Sequence, residues 1–158
     1  VQTCALRSLY NNILIKCIGF LRKECVKMGN LILRMGIGLL FIMHGYPKVM
    51  AGPERWEALG NTMQGFGIKF APILWGAAAS FSEFIGGVLL VIGLLVRPSA
   101  FFLFVTMGVA VHMHLSSGQG FDIASHAMAL GVASLSLIFS GAGKYGLDRI
   151  IFKGSKED

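Results

Sequence analysis

Five side chains stand where ionisable groups are rarely found. Glu83 sits near the middle of a long apolar run, and His44, His112, His114 and His126 fall near the ends of three others. A charged group at the centre of a bilayer costs about 2.5–3.5 kcal/mol on insertion scales, so each is a functional candidate. A carboxyl inside hydrocarbon needs a proton or a cation beside it. Glu83 therefore suits a proton relay or a hydrogen bond to a carbonyl ligand, and equally an ion pair with Arg34, Lys48 or a histidine that does no more than set helix register. Lys48 lies one turn beyond His44 on the same helical face, and Asp122 falls in the neighbouring turn of the chain. Imidazoles donate to carbonyls and exchange protons near neutral pH, so His44, Lys48, His112 and His126 with one carboxylate could bind a quinone head group. Haem or metal ligation competes with this reading. His112 and His114 are two residues apart and face different directions, which argues against one metal bound by both, and no metal site is assigned. The plainest alternative is that each histidine is a solvated interfacial side chain.

The elements that must position these groups follow from composition. Of 158 residues, 54% are hydrophobic and 14% charged, against about 25% charged in an ordinary soluble domain. Windows of span length pick out four apolar runs, about Leu31–Met50, Phe70–Val96, Ser99–Leu115 and Ile123–Ala142. The expected fold is all-α, an integral membrane four-helix bundle over residues 28–158. Arg97-Pro98 separates the second and third runs as a tight hairpin, and Ser116–Gly120 turns the chain into the fourth. Residues 51–69 are too polar to cross. Trp56, Leu59, Met63 and Phe66 recur there at helical spacing, which predicts an interfacial amphipathic helix or a partner-binding one. Ser125, Ala129, Ala133, Ser136 and Ser140 form a small-residue seam that reads as helix packing.

The net charge of +6 does not point to nucleic acid, because the basic residues lie between and beside the apolar runs. With the N-terminus inside, one side collects Arg7, Lys16, Arg22, Lys23, Lys27, Arg97, Lys144, Arg149, Lys153 and Lys156, and the other only Lys48, Arg55 and Lys69. Both ends are then expected in the cytoplasm of a bacterial inner-membrane protein. Arg34, Arg97 and Asp148 sit near span ends as structural ion pairs and anchors. Residues 1–27 read either as a basic helix on the inner leaflet or as an extension upstream of a start at Met28. Cys4, Cys17 and Cys25 all precede the first run, which excludes dithiol chemistry within the bundle.

Three separated stretches carry a family resemblance. Arg34 through His44-Gly45-Tyr46-Pro47-Lys48, then Glu83-Phe84-Ile85-Gly86-Gly87 with Gly93 and Arg97, and finally Gly141-Ala142-Gly143-Lys144-Tyr145-Gly146-Leu147-Asp148-Arg149 resemble the DoxX family over about Leu31 to Phe152. Gly146 stands where that family usually has serine. The family name comes from a subunit associated with a terminal quinol oxidase, and relatives are linked to thiosulfate:quinone oxidoreduction and to membrane complexes that handle oxidative stress. The resemblance implies an accessory subunit or a small quinone-linked component of a membrane redox system, with quinone rather than haem as the ligand. Its partners would be the lipid bilayer, other membrane redox subunits or a soluble oxidoreductase, and a homo-oligomer stays open. Two other roles compete: a non-catalytic partner that recruits a soluble oxidoreductase, and a small-molecule or proton transporter. The transporter lacks the inverted repeat or broken helix pair expected of many carriers.

Overall fold

The computed structural model describes residues 2–148 and 151, and helix is the only regular structure among them. The side chains of Arg7, Lys16, Arg22 and Lys23, and the whole of Arg149, Lys153 and Lys156, lie outside the described residues. Helix α1 runs unbroken over Gln2–Met50, α2 over Pro53–Gly60 continuing as a 3₁₀ turn over Asn61–Phe66, α3 over Pro72–Ile92, α4 over Val96–Ser116 and α5 over Phe121–Ser140. Four stretches are long and apolar enough to cross a membrane: Glu24–Met50, Pro72–Ile92, Val96–Ser116 and Phe121–Ser140. Large apolar side chains such as Val132, at 67%, and Phe139, at 77%, are exposed on the outside of the bundle, where only lipid would favour them. The protein is a multi-pass membrane protein.

Helix α1 packs most extensively on α3, and α4 on α5, with α3 against α4 and a thinner seam between α1 and α5. The core is a column of Phe41, Leu90, Val96, Ala100, Leu103 and Leu137, all fully buried. Glu83 shares its buried face of α3 with Gly76, Ser80 and Gly87, whose small size admits α1 and α2. On α5 the buried stripe is Ala124, Ala127, Leu130, Gly131, Ser134 and Leu137. This corrects the expected packing seam: Ala129, Ser136 and Ser140 are exposed, and Ser125 and Ala133 are only partly covered. In lipid the outer face is as apolar as the inner one, so small residues alone do not mark the inside.

The turn between α3 and α4 also falls earlier than Arg97-Pro98. Gly93 ends α3 with φ 78°, and Leu95 precedes α4 with φ 50°, a left-handed conformation that costs a non-glycine residue about 1–2 kcal/mol. Asp148, brought back from beyond α5, offsets that cost. Its carboxylate accepts from the backbone N–H of Leu95 at 2.6 Å and of Val96 at 3.1 Å, and its own N–H donates to the Gly93 carbonyl at 3.0 Å. The chain thus caps α4 with a side chain from a distant segment. Asp148→Ala is expected to cost about 0.5–2 kcal/mol, read as a lower thermal midpoint in detergent, with Asp148→Asn closer to the parent because one acceptor oxygen survives.

Candidate functional site

Two ends of the bundle differ in chemistry. At one, Arg34 is buried and donates to the Ala142 carbonyl at 2.8 Å and to the Tyr145 carbonyl at 3.4 Å, while Asn30 donates to the Gly141 carbonyl at 3.1 Å. The segment after α5 is thereby tied beneath α1, and Arg97 lies beside Gly141. Gly146 fits here for a steric reason: a Cβ at this position would run into the Ala142 side chain and the Arg34 guanidinium. Arg34, Arg97 and Asp148 therefore gather at this arginine end, and Arg34 and Asp148 spend their hydrogen bonds on backbone groups.

The other end carries the histidines. Gly45 of α1 sits so close to α3 that a Cβ would lie 2.8 Å from the Phe84 Cα. This approach brings Lys48, one turn further along α1, within reach of Glu83. The Lys48 ammonium donates to both carboxylate oxygens, at 2.7 and 2.6 Å, and Glu83 is 2% exposed. The Lys48 carbonyl lies near the helix end and lacks an intrahelical donor, and the Trp56 indole N–H supplies one at 2.9 Å. Trp56 also packs on Phe81, with ring centroids 5.7 Å apart. Beneath it, Gly60 and Gly76 allow the backbones of α2 and α3 to touch, since a Cβ on either would overlap the opposite chain's carbonyl. The α2 segment thus lies at the bundle end as an interfacial helix should, with Leu59 and Met63 turned in over the bundle.

What they roof is a cavity of about 770 Å³. It is lined by Phe41, His44 and Lys48 of α1, Trp75, Ser82 and Glu83 of α3, Thr106, Val109 and His114 of α4, and His126, Ala127 and Leu130 of α5. Ser82 and Thr106 join across at 2.9 Å. The volume falls in the range of small-molecule sites, about 300–1,000 Å³, and the wall is largely apolar with a few polar groups turned in, as such sites usually are.

The structure brings four of the expected residues together. His44 and His126 meet across the α1–α5 seam with their Nε2 atoms 3.4 Å apart, so that one ring can donate to the other, and both line the cavity with Lys48 and Glu83. His112 does not join them. Its ring packs edge-on against Phe66, centroids 4.3 Å apart, outside the lining, and His114 takes its place on the wall with Nδ1 2.7 Å from the Gln119 side-chain oxygen. Asp122 stays exposed in the first turn of α5 and does not line the cavity. Among the described residues no three His, Cys, Asp or Glu side chains are grouped to hold a metal ion.

Two lining residues escape a reading by sequence. Arg55 reads as a charge on the polar face of the interfacial helix, but it reaches the cavity because α2 folds over the bundle. Trp75 looks like an interfacial aromatic at the start of a span, where tryptophans collect for other reasons. Its indole nitrogen is buried and has no hydrogen-bond partner among the described residues.

Comparison with known proteins agrees with this architecture. A family model described as DoxX matches residues 29–115, more than half of the chain. A protein of Haemophilus influenzae (strain ATCC 51907 / DSM 11121 / KW20 / Rd), named "Uncharacterized protein", is 34% identical over 127 residues, covering 77% of this chain and 89% of its own length. A Bacillus subtilis (strain 168) protein named "Putative oxidoreductase CatD" is 28% identical over 131 residues, covering 82% of this chain and 92% of its own length. No solved structure gives a significant match.

Proposed function

The chain belongs to the DoxX family, and from that premise we propose that it is a small quinone-linked component, or accessory subunit, of a redox system in a bacterial inner membrane. The observation that carries the reading is the Lys48–Glu83 pair, its carboxylate buried midway along α3 and facing an apolar cavity of ligand size. The oxidoreductase in the name of the Bacillus subtilis relative lends it support. The charge pattern favours an outward histidine end, with Lys48, Arg55 and Lys69 there and Arg97 and Lys144 at the opposite end.

A quinone fits these residues. Its ring and tail match the apolar wall, and its carbonyls match the donors turned inward. When bound it would supply an acceptor of electrons and protons to the redox system. The chain's own contribution is positioning and proton handling. Lys48 is the charged donor to a ring oxygen, and Glu83 holds Lys48 in place and stands ready to accept or return its proton. His44 and His126, with their Nε2 atoms 3.4 Å apart on the cavity lining, form a second pair between whose rings a proton can be shared.

The test is binding. Protein reconstituted in lipid nanodiscs and supplied with excess quinone is expected to retain roughly one quinone per chain in a reduced-minus-oxidised difference spectrum, as one cavity of this size would. Glu83→Gln should insert and fold yet lose that signal. A flat spectrum from the parent protein with quinone in excess sinks the reading, and recovery of a soluble oxidoreductase with quinone-free protein would favour a recruiting role instead.

A further inference from the structure

The two tryptophans of the chain are treated differently by the fold. Trp56 donates its indole N–H to the Lys48 carbonyl. Trp75, in the first turn of α3, has its Nε1 buried without a partner among the described residues while the side chain lines the cavity. Indole nitrogen can only donate, and a donor left unmade away from water is rare in native proteins because its desolvation is not repaid. Ring packing holds it there: Phe70 meets Trp75 edge-on with centroids 6.1 Å apart. Ala78 and Ala79, the next lining residues along α3, carry no acceptor side chain that could turn toward it.

The cavity also reaches the outer surface on one side. Phe102 and Val105 line it, yet they are 60% and 47% exposed, on the face of α4 that lipid would cover. The hairpin of α3 and α4 is tight at Gly93, and a hydrogen bond ties Ser82 to Thr106. Toward the histidine end the small Ala78 and Ala79 of α3 line the cavity.

We propose that Trp75 is a positioning residue whose indole N–H takes a second acceptor on the cavity's ligand. Lys48 meets the first. The class so selected is a bilayer-dissolved amphiphile with two separated acceptor atoms on a compact head and a hydrocarbon tail lying between α3 and α4 along Phe102 and Val105. This rests on the reading of the cavity as a quinone site and adds the residue that discriminates among carbonyl lipids.

The experiment compares two probes by equilibrium dialysis against nanodisc protein: a fully substituted 1,4-quinone with a decyl chain, whose ring offers no carbon to thiols, and a cyclic monoketone with the same chain. Trp75→Phe keeps the aromatic packing and removes the donor. It is expected to weaken quinone binding roughly five- to tenfold and to leave the monoketone, held by Lys48, unchanged. A mutation-free readout accompanies it. In protein labelled with 15N-tryptophan, one of the two indole N–H signals should move downfield with the quinone and stay in place with the monoketone. Quinone binding that Glu83→Gln abolishes but Trp75→Phe leaves intact, with both indole signals unmoved, overturns the role of Trp75 while the quinone reading stands. No binding of either probe to the parent protein overturns both.

Discussion

Lys48→Met is expected to destabilise the protein by about 3–5 kcal/mol, because it strands a carboxylate that is buried beside an apolar cavity. Glu83 retains 3% of its side-chain exposure, whereas Lys48 retains 29%, so the two halves of the pair are not equivalent. Removing the lysine leaves a buried group without its counter-ion. Removing the carboxylate leaves an ammonium that can withdraw its head toward the membrane surface along its flexible stem. Glu83→Gln should therefore cost much less than Lys48→Met, and the double variant Lys48→Met/Glu83→Leu should recover most of the loss. Thermal unfolding in one detergent across the four proteins measures this. Equal losses in both single variants would show that the pair contributes register alone and that the asymmetry of burial has no energetic consequence. The comparison also separates folding from function: Lys48→Met/Glu83→Leu is expected to be stable and unable to bind quinone.

The second large effect is expected from Gly45. A Cβ there would meet the Phe84 amide and Cα and the Glu83 carbonyl carbon within 3.0 Å, all of them backbone atoms that cannot rotate away. Gly45→Ala must move α1 off α3. Overpacking of this kind costs about 1–3 kcal/mol. The larger consequence is geometric, because Gly45 lies one turn before Lys48 and its close approach is what lets the ammonium span both oxygens of Glu83. Gly45→Ala should thus lower quinone affinity more than tenfold, beyond the 1.4 kcal/mol that such a factor represents, even in the fraction that remains folded. Gly36 on the same helix has open space around its Cβ position, so Gly36→Ala is the control and should change neither property. If Gly45→Ala and Gly36→Ala bind alike, the close crossing is not what sets the pair.

Much of this protein was legible in its sequence. Four apolar runs of span length become four helices because the bilayer leaves the backbone no other way to satisfy its hydrogen bonds within each segment. Glu83 stood out because a carboxyl is expensive at that depth, and the pairing of Glu83 with Lys48 was one of the partners its position allowed. The period of 3.6 also placed His44 and Lys48 on one face of α1.

Tertiary structure decided the rest, since periodicity gives a residue's angle about its own helix and not the helix's rotation within the bundle. In water an apolar stripe reveals that rotation. In lipid the outside is apolar too, and so the exposed Ala129 and Ser136 looked as suited to packing as the buried Ala127 and Ser134. The same ambiguity put His112 in the expected site, whereas the structure packs His112 on Phe66 and seats His114 on the cavity lining. Only the seating of α1 against α5 brings His44 to His126, 82 residues along the chain. Only the fold of α2 over the bundle roofs the cavity that Trp75 lines, and the lack of a partner for its indole among the described residues cannot be seen until the neighbouring acceptors have been placed.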